Sequence, residues 1–556
     1  MKLGGPRLAA ILGVTLAVAA PLGLLFYQSF LSAPFFDPSA RFSFEAYQYI
    51  LASPDFHRAF ASSFAISLCM TIIAVPLGSL LGFLIVRTDI PGRRWLEPWL
   101  LVPVFLSPIV LAFGYVVAVG PVGFFSLWAK SLFGTVPWNL YSLAGLIFIA
   151  GLTHVPHVFL YVSAALRGVD PTVEEAARVT GAGPWRIAFT VSLPLVLPAI
   201  LFSGALVFLL GFELFGLPLV LGDPAGLLVL TTYLYKLTNL LGVPSYQLMA
   251  VVAMAIVAIT FPLVYLQRRF TGAAARYAVI GGKGRAFRPL PLGALRWPMT
   301  ALVLLWLLIV VVLPLAGVAL RSVVRYWGEG VVLSEVLTLD HFRELGRYPN
   351  LIRGIVNTLL IGGVGGALAV AVYAAVALSA HRAPGVWPSL LDYLVLVPRA
   401  LPGLIVGLAF FWLFLFFKPL AHLRTTLFSL WIAYAVVWLA YGLKLITATL
   451  MQVSPDLEDS ARVTGASPGL VYRDVTLPLI RFGLLGSWLL IFMMFVREYS
   501  TGVYLLGPGT EVIGSLIVSL WGTGALDLIS ALSVIEVVIV GAALFLALRL
   551  GVKLDA

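Results

Sequence analysis

The chain reads as long apolar runs separated by short polar loops. Runs of roughly 20 apolar residues are what a helix needs to cross about 30 Å of hydrocarbon. Only helices and closed barrels satisfy the backbone there, and runs of this length are helical. The pattern predicts spans at 8–31, 59–86, 96–120, 141–166, 194–221 and 245–267. It predicts six more at 298–320, 353–380, 391–417, 426–448, 478–505 and 528–548. The expected fold is an all-α membrane protein of about twelve transmembrane helices.

Composition agrees. Apolar residues make up 61% of the 556 and charged residues 11%, too few charges to cover a soluble surface of this size. The net charge of +11 raises nucleic acid as a partner. The basic residues, however, sit in short loops between spans: Arg87, Arg93 and Arg94; Arg167, Arg178 and Arg186; Arg268 and Arg269; and later Arg382, Arg462, Arg473, Arg549 and Lys553. That is the positive-inside pattern, which excludes nucleic acid and places these loops and both termini in the cytoplasm. The N-terminal run lacks a small-residue cleavage site and reads as an uncleaved span. One cysteine, Cys69, excludes a disulfide framework.

The central feature is a repeat. Residues 174–195, EEAARVTGAGPWRIAFTVSLPL, recur without a gap at 458–479 as EDSARVTGASPGLVYRDVTLPL, an offset of 284. Arg58 with Ser62-Ser63 matches Arg353 with Asn357-Thr358, Val102-Pro103 matches Val397-Pro398, and Glu213 matches Glu498. Two six-span halves in one parallel topology follow: residues 1–267 and 298–556, joined by a basic cytoplasmic linker at 268–297 that holds Arg276, Lys283, Arg285 and Arg288. The repeated segments fall in loops at about 167–194 and 449–478, between the fourth and fifth spans of each half. Pro171 and Pro455 suit a helix start. Gly181 and Gly465 suit a turn at positive φ, and Pro184 and Pro468 open a second short helix. A helix–Gly–helix elbow projecting from the membrane fits a groove on a soluble partner.

The segment resembles the EAA loop of type I ABC importer permeases. Its residues here are Glu174-Glu175-Ala176-Ala177…Gly181…Leu193-Pro194 and Glu458-Asp459-Ser460-Ala461…Gly465…Leu477-Pro478. The second copy departs at Asp459 and Ser460. The resemblance implies a fused double permease in a bacterial inner membrane, whose two elbows each dock one copy of an ATPase subunit. It also implies a periplasmic or lipid-anchored solute-binding protein on the opposite face. No phosphate-binding G-x-x-x-x-G-K-[ST] exists. The permease is therefore expected to be no enzyme and to hold no cofactor of its own, with ATP bound by the partner subunits. Gly281-Gly282-Lys283-Gly284 lacks that spacing and reads as linker.

Fused permeases of this length resemble ferric-iron importers, with 2-aminoethylphosphonate and thiamine importers as alternatives. Residues 396–403, 407–412 and 496–501 lean towards the iron group. Glu213 and Glu498 stand about two-thirds along the fifth spans, and an ionisable residue in hydrocarbon normally faces a cavity or a partner. Paired carboxylates across the repeat axis suit a hard cation. Arg497 suits an anion or chelate instead, and helix bracing is the alternative for all three. His154 and His157, one turn apart beside Pro156, are a metal pair or polar packing at a kink. Ser62-Ser63 and Asn357-Thr358 suit hydrogen bonds between helices. A secondary carrier of the major facilitator type competes through Arg87-Thr-Asp-Ile-Pro-Gly-Arg-Arg, but such a carrier has no use for the duplicated elbow.

Overall fold

The computed structural model describes residues 5–238, 245–274, 289–381, 401–424 and 426–551, with 391, 394, 395 and 398. Arg382, Val397, Lys553 and the basic centre of the linker lie outside the described residues. Helices dominate, and among the described residues nine are long and apolar enough to cross a membrane. Two bent pairs, Pro184–Leu195 with Leu197–Glu213 and Leu427–Val437 with Leu439–Leu450, raise that count to eleven. The shorter apolar helix Gly403–Phe416 occupies the expected ninth span.

Compactness divides the chain differently from the repeat. One unit holds Tyr47–His341, and the other joins Met1–Ala46 to Phe342–Leu554. The first helix, Gly5–Ser29, packs on Gly403–Phe416 and Gly366–Ala380. Helix Leu313–Ser322, which ends the first span after the linker, packs on Pro108–Val119.

In the unit of residues 47–341, the second span Pro54–Arg87 runs against the fourth, Leu143–Gly168. Small residues permit the approach: a Cβ on Gly78 would stand 2.6 Å from Val158 Cβ. The third span departs from expectation. Residues 96–120 do not form one helix; Arg93–Phe105 ends before Ser107, and Pro108 opens a new helix to Val119. Proline disfavours the helical conformation in the residue before it, and Ser107 is extended at ψ 127°.

In the other unit the second span is continuous in direction but carries a π-turn at Ile361–Gly365. Such a turn frees carbonyls from the i→i−4 ladder. Trp488 Nε1 donates to Gly363 O at 2.9 Å and Trp431 Nε1 to Gly365 O at 2.8 Å. The fourth span breaks at Trp438, and a Cβ on Gly442 just beyond the break would collide with the Tyr373 ring.

Both fifth spans stop earlier than hydropathy predicts. Glu213 is the last residue of Leu197–Glu213, and Glu498 caps Leu477–Arg497. Neither glutamate stands two-thirds along a longer helix; each marks the end of its own. Short helices follow each stop, Leu230–Lys236 in one unit and Ile513–Thr523 in the other. Both are tied to the second span in the same way. Ser63 Oγ accepts the Leu230 N–H, and Thr358 Oγ1 accepts the Ile513 N–H, each at 2.9 Å. Asn357 Nδ2 adds bonds to Gly509 O and Glu511 O, and Arg353 grips the Glu511 carboxylate with two nitrogens. The Arg353 guanidinium holds the Glu511 carboxyl below the usual carboxylate range.

Candidate functional site: two matched elbows

The first elbow begins at Asp170, whose carboxylate accepts the Thr172 N–H at 2.9 Å. Pro171 fills the first helical position, where a missing N–H costs nothing. Helix Pro171–Val179 then ends in a Schellman stop. The Gly181 N–H reaches Arg178 O at 2.9 Å and the Ala182 N–H reaches Ala177 O at 3.1 Å. Gly181 has φ +84°, a region that a Cβ disfavours. Pro184–Ile187 and a π-turn at Ala188–Ser192 lead into Leu193-Pro194.

The second elbow repeats this nearly atom for atom. Ser454 caps Pro455–Val463, the Gly465 N–H reaches Arg462 O at 3.0 Å, and the Ala466 N–H reaches Ala461 O at 3.1 Å. Gly465 has φ +91°, and Pro468–Val471 runs into a π-turn at Tyr472–Thr476.

The leading glutamates point into the protein. Glu174 is 2% exposed and Glu458 0%. Ser192 Oγ donates to Glu174 Oε1 at 2.8 Å, and Thr476 Oγ1 donates to Glu458 Oε1 at 3.0 Å. Arg87, the last residue of the second span, places Nε 3.3 Å from Glu174 and spends its Nη2 on Leu166 O and Val169 O. In the second elbow His381 Nε2 stands 3.2 Å from Glu458, with Arg462 Nη2 at 3.7 Å. Each glutamate therefore pins its elbow helix to the start of the following span and to the end of the second. Glu175 and Ala177 lie part-buried on the first elbow, Ala461 part-buried on the second, and Asp459 is exposed and bonds Arg462 at 2.6 Å. Val179 and Val463 turn to solvent at one register, 89% and 88% exposed. Nothing in hydropathy marks them. The paired Ser192 and Thr476 were legible as small hydroxyl residues kept through the repeat.

Glu498 is braced. Oε1 accepts from Ser500 Oγ at 2.8 Å and from the Thr501 N–H and Oγ1 at 3.1 Å each, and Oε2 accepts from Trp438 Nε1 at 3.3 Å. Tyr434 donates to its backbone carbonyl at 3.0 Å. Arg497 lies over the Trp438 ring at 5.7 Å, within the electrostatic reach of Glu498, Tyr441, Tyr499 and Glu536. Glu536, 1% exposed in the middle of Leu526–Arg549, is a buried carboxylate that the sequence reading missed. A lone acid inside an apolar span was the available signal. Glu213 is part-buried at its helix end. His154 and His157 stack at 5.3 Å, and His154 Nδ1 pairs with Ala150 O at 2.8 Å. Among the described residues no three His, Cys, Asp or Glu side chains group to hold a metal.

The family described as binding-protein-dependent transport system inner membrane component matches residues 74–274 and again residues 367–556. The chain belongs to that family. It is a fused double permease of an ABC importer, a multi-pass membrane protein of a transport rather than a catalytic family. The permease is 33% identical over 167 residues to the molybdenum transport system permease protein ModB of Escherichia coli, covering 30% of this chain and 72% of that one. It is 24% identical over 477 residues to the Fe(3+)-transport system permease protein FbpB 2 of Haemophilus influenzae, covering 85% of each. A putative 2-aminoethylphosphonate transport system permease protein, PhnU, of Salmonella typhi is 30% identical over 209 residues, covering 36% of this chain and 69% of that one. A solved bacterial alginate ABC transporter overlaps 46% of the permease and 92% of its own chain at TM-score 0.38 and 20% identity.

Proposed function

We propose that each elbow docks one copy of an ATP-hydrolysing subunit on the cytoplasmic side, where both termini also lie. ATP-driven closure of the two copies then moves the elbows and opens the pathway towards a solute-binding protein on the outer face. The observation that carries this reading is the duplication of a complete mechanical part: N-cap, Schellman stop, π-turn and buried glutamate latch, at one offset. A rigid elbow latched to two spans transmits displacement into the membrane, whereas a loose loop does not. Glu174, Gly181, Glu458 and Gly465 shape the part, Glu175, Ala177, Asp459 and Ala461 complete its helices, and the partner supplies all ATP chemistry.

Ferric iron is the solute this reading favours. Relatives named for ferric transport align along most of both chains: 85% of each for the Haemophilus influenzae protein, and 93% of this chain for the one from Actinobacillus pleuropneumoniae. The molybdenum relative aligns with 30% of this chain. A second reading, 2-aminoethylphosphonate or another anion, draws on Arg497, a guanidinium beside Glu498. Proteoliposomes holding the permease, its ATPase and its binding protein test both. ATP-dependent uptake of radiolabelled ferric iron, unaffected by excess 2-aminoethylphosphonate, is the expected outcome. Uptake of the phosphonate with none of iron would overturn the iron reading.

A further inference from the structure

The loop Arg87-Thr-Asp-Ile-Pro-Gly-Arg-Arg lies outside the duplicated elbow, yet it is bonded along its first residues to a distant part of its own unit. Residues Leu290–Leu292, where the linker between the halves ends, lie along it and form a parallel bridge between Thr88 and Leu290. The Leu290 N–H donates to Arg87 O at 2.8 Å, the Asp89 N–H to Leu290 O at 3.3 Å, and the Leu292 N–H to Asp89 Oδ1 at 2.8 Å. Leu290 and Leu292 are buried.

Arg87 closes the second span, so its carbonyl is one of the four that a helix end leaves without an intrahelical donor. The linker supplies that donor. Thr88 Oγ1 returns to Leu84 O at 2.6 Å, and Arg93 Nη1 takes Thr88 O at 2.9 Å. Arg87 is thus held from two sides: its backbone by the linker and its side chain by Glu174 of the first elbow. After the second span of the other half, residues 381–388 read His-Arg-Ala-Pro-Gly-Val-Trp-Pro, with no carboxylate in the place of Asp89.

We propose that Asp89, Leu290 and Leu292 are positioning residues for coupling at the first elbow. The end of the linker is a strap that fixes Arg87 and, through it, Glu174. The proposal rests on the elbow reading above. It separates two roles of the linker: the strap is needed, and covalent continuity upstream of it is not.

The test is the ratio of ATP hydrolysed to solute imported by the full complex in proteoliposomes. Loss of one such hydrogen bond shifts the population of the held elbow about fivefold. Asp89→Ala and Leu290→Pro are expected to raise the ratio by about that factor. Asp89→Asn, which keeps the Oδ1 acceptor, is expected to restore it. Cleavage at a protease site placed between Gly281 and Gly282 is expected to leave it unchanged. Gly181→Ala is run alongside. If it uncouples while Asp89→Ala matches the parent, the strap proposal is overturned and the elbow reading stands. If Gly181→Ala keeps the parental ratio, the elbow reading falls and takes the strap with it. Should Leu290→Pro fail to assemble, Asp89→Ala against Asp89→Asn decides alone.

Discussion

Ser192 Oγ donates a 2.8 Å hydrogen bond to Glu174 Oε1, across eighteen residues of elbow. The first acid of the duplicated motif is therefore a fastening inside the permease. Its partners are the start of the fifth span and, through Arg87, the end of the second. In the proposed docking, contact with a soluble partner falls instead to what the elbow exposes.

Removing one member of the Arg87–Glu174 pair leaves a buried charge without its counter-ion, which costs about 3–5 kcal/mol. Arg87→Met and Glu174→Gln are each expected to lower the thermal midpoint of the purified permease. The double variant is expected to lose less than the two singles together. Additive losses in a double-mutant cycle would show that the pair is not coupled.

Gly181 and Gly465 are held at φ +84° and +91°, and an added Cβ would meet no atom within 4 Å at either. The penalty for Gly→Ala is then conformational alone, about 1–2 kcal/mol. The expected outcome is normal membrane yield with reduced transport per ATP. Parental coupling in both variants would argue against a shape-critical elbow.

Glu498 accepts four hydrogen bonds, so Glu498→Gln sets an amide N–H₂ against groups that are themselves donors. A buried mismatch of this kind costs about 1–3 kcal/mol. Lower yield of folded complex, with transport per folded molecule retained, is expected. A stable variant that hydrolyses ATP and imports nothing would instead give Glu498 a gating role.

What the sequence made legible follows from what repeats. The elbow could be placed to the residue because its cap, its glycine and its prolines all recur at one offset. The direction of Glu174 could not, because a helical acid looks the same whether it faces water or Arg87. Hydropathy also hid breaks. Leu214 to Leu221 is as apolar as the helix before it, so hydropathy carries the span past Glu213 although Gly216 and Pro218 are breakers within it. The division at Ser107-Pro108 was readable from proline chemistry but masked by the apolar run around it. Glu536 was lost inside an apolar run that one carboxylate does not interrupt. The packing of Gly5–Ser29 with residues of the other half is a tertiary choice that no local pattern encodes.

The most direct test of the account is crosslinking at the two exposed valines. Val179 and Val463 are 89% and 88% exposed, so cysteine at either position leaves the fold intact. With Cys69 replaced by serine, each single-cysteine permease is assembled with an ATPase carrying cysteines along its membrane-facing groove, and oxidised under turnover. The account predicts that both positions crosslink to the ATPase, one copy at each elbow, and that crosslinking arrests transport. An actively transporting complex in which neither position crosslinks to the ATPase would contradict it.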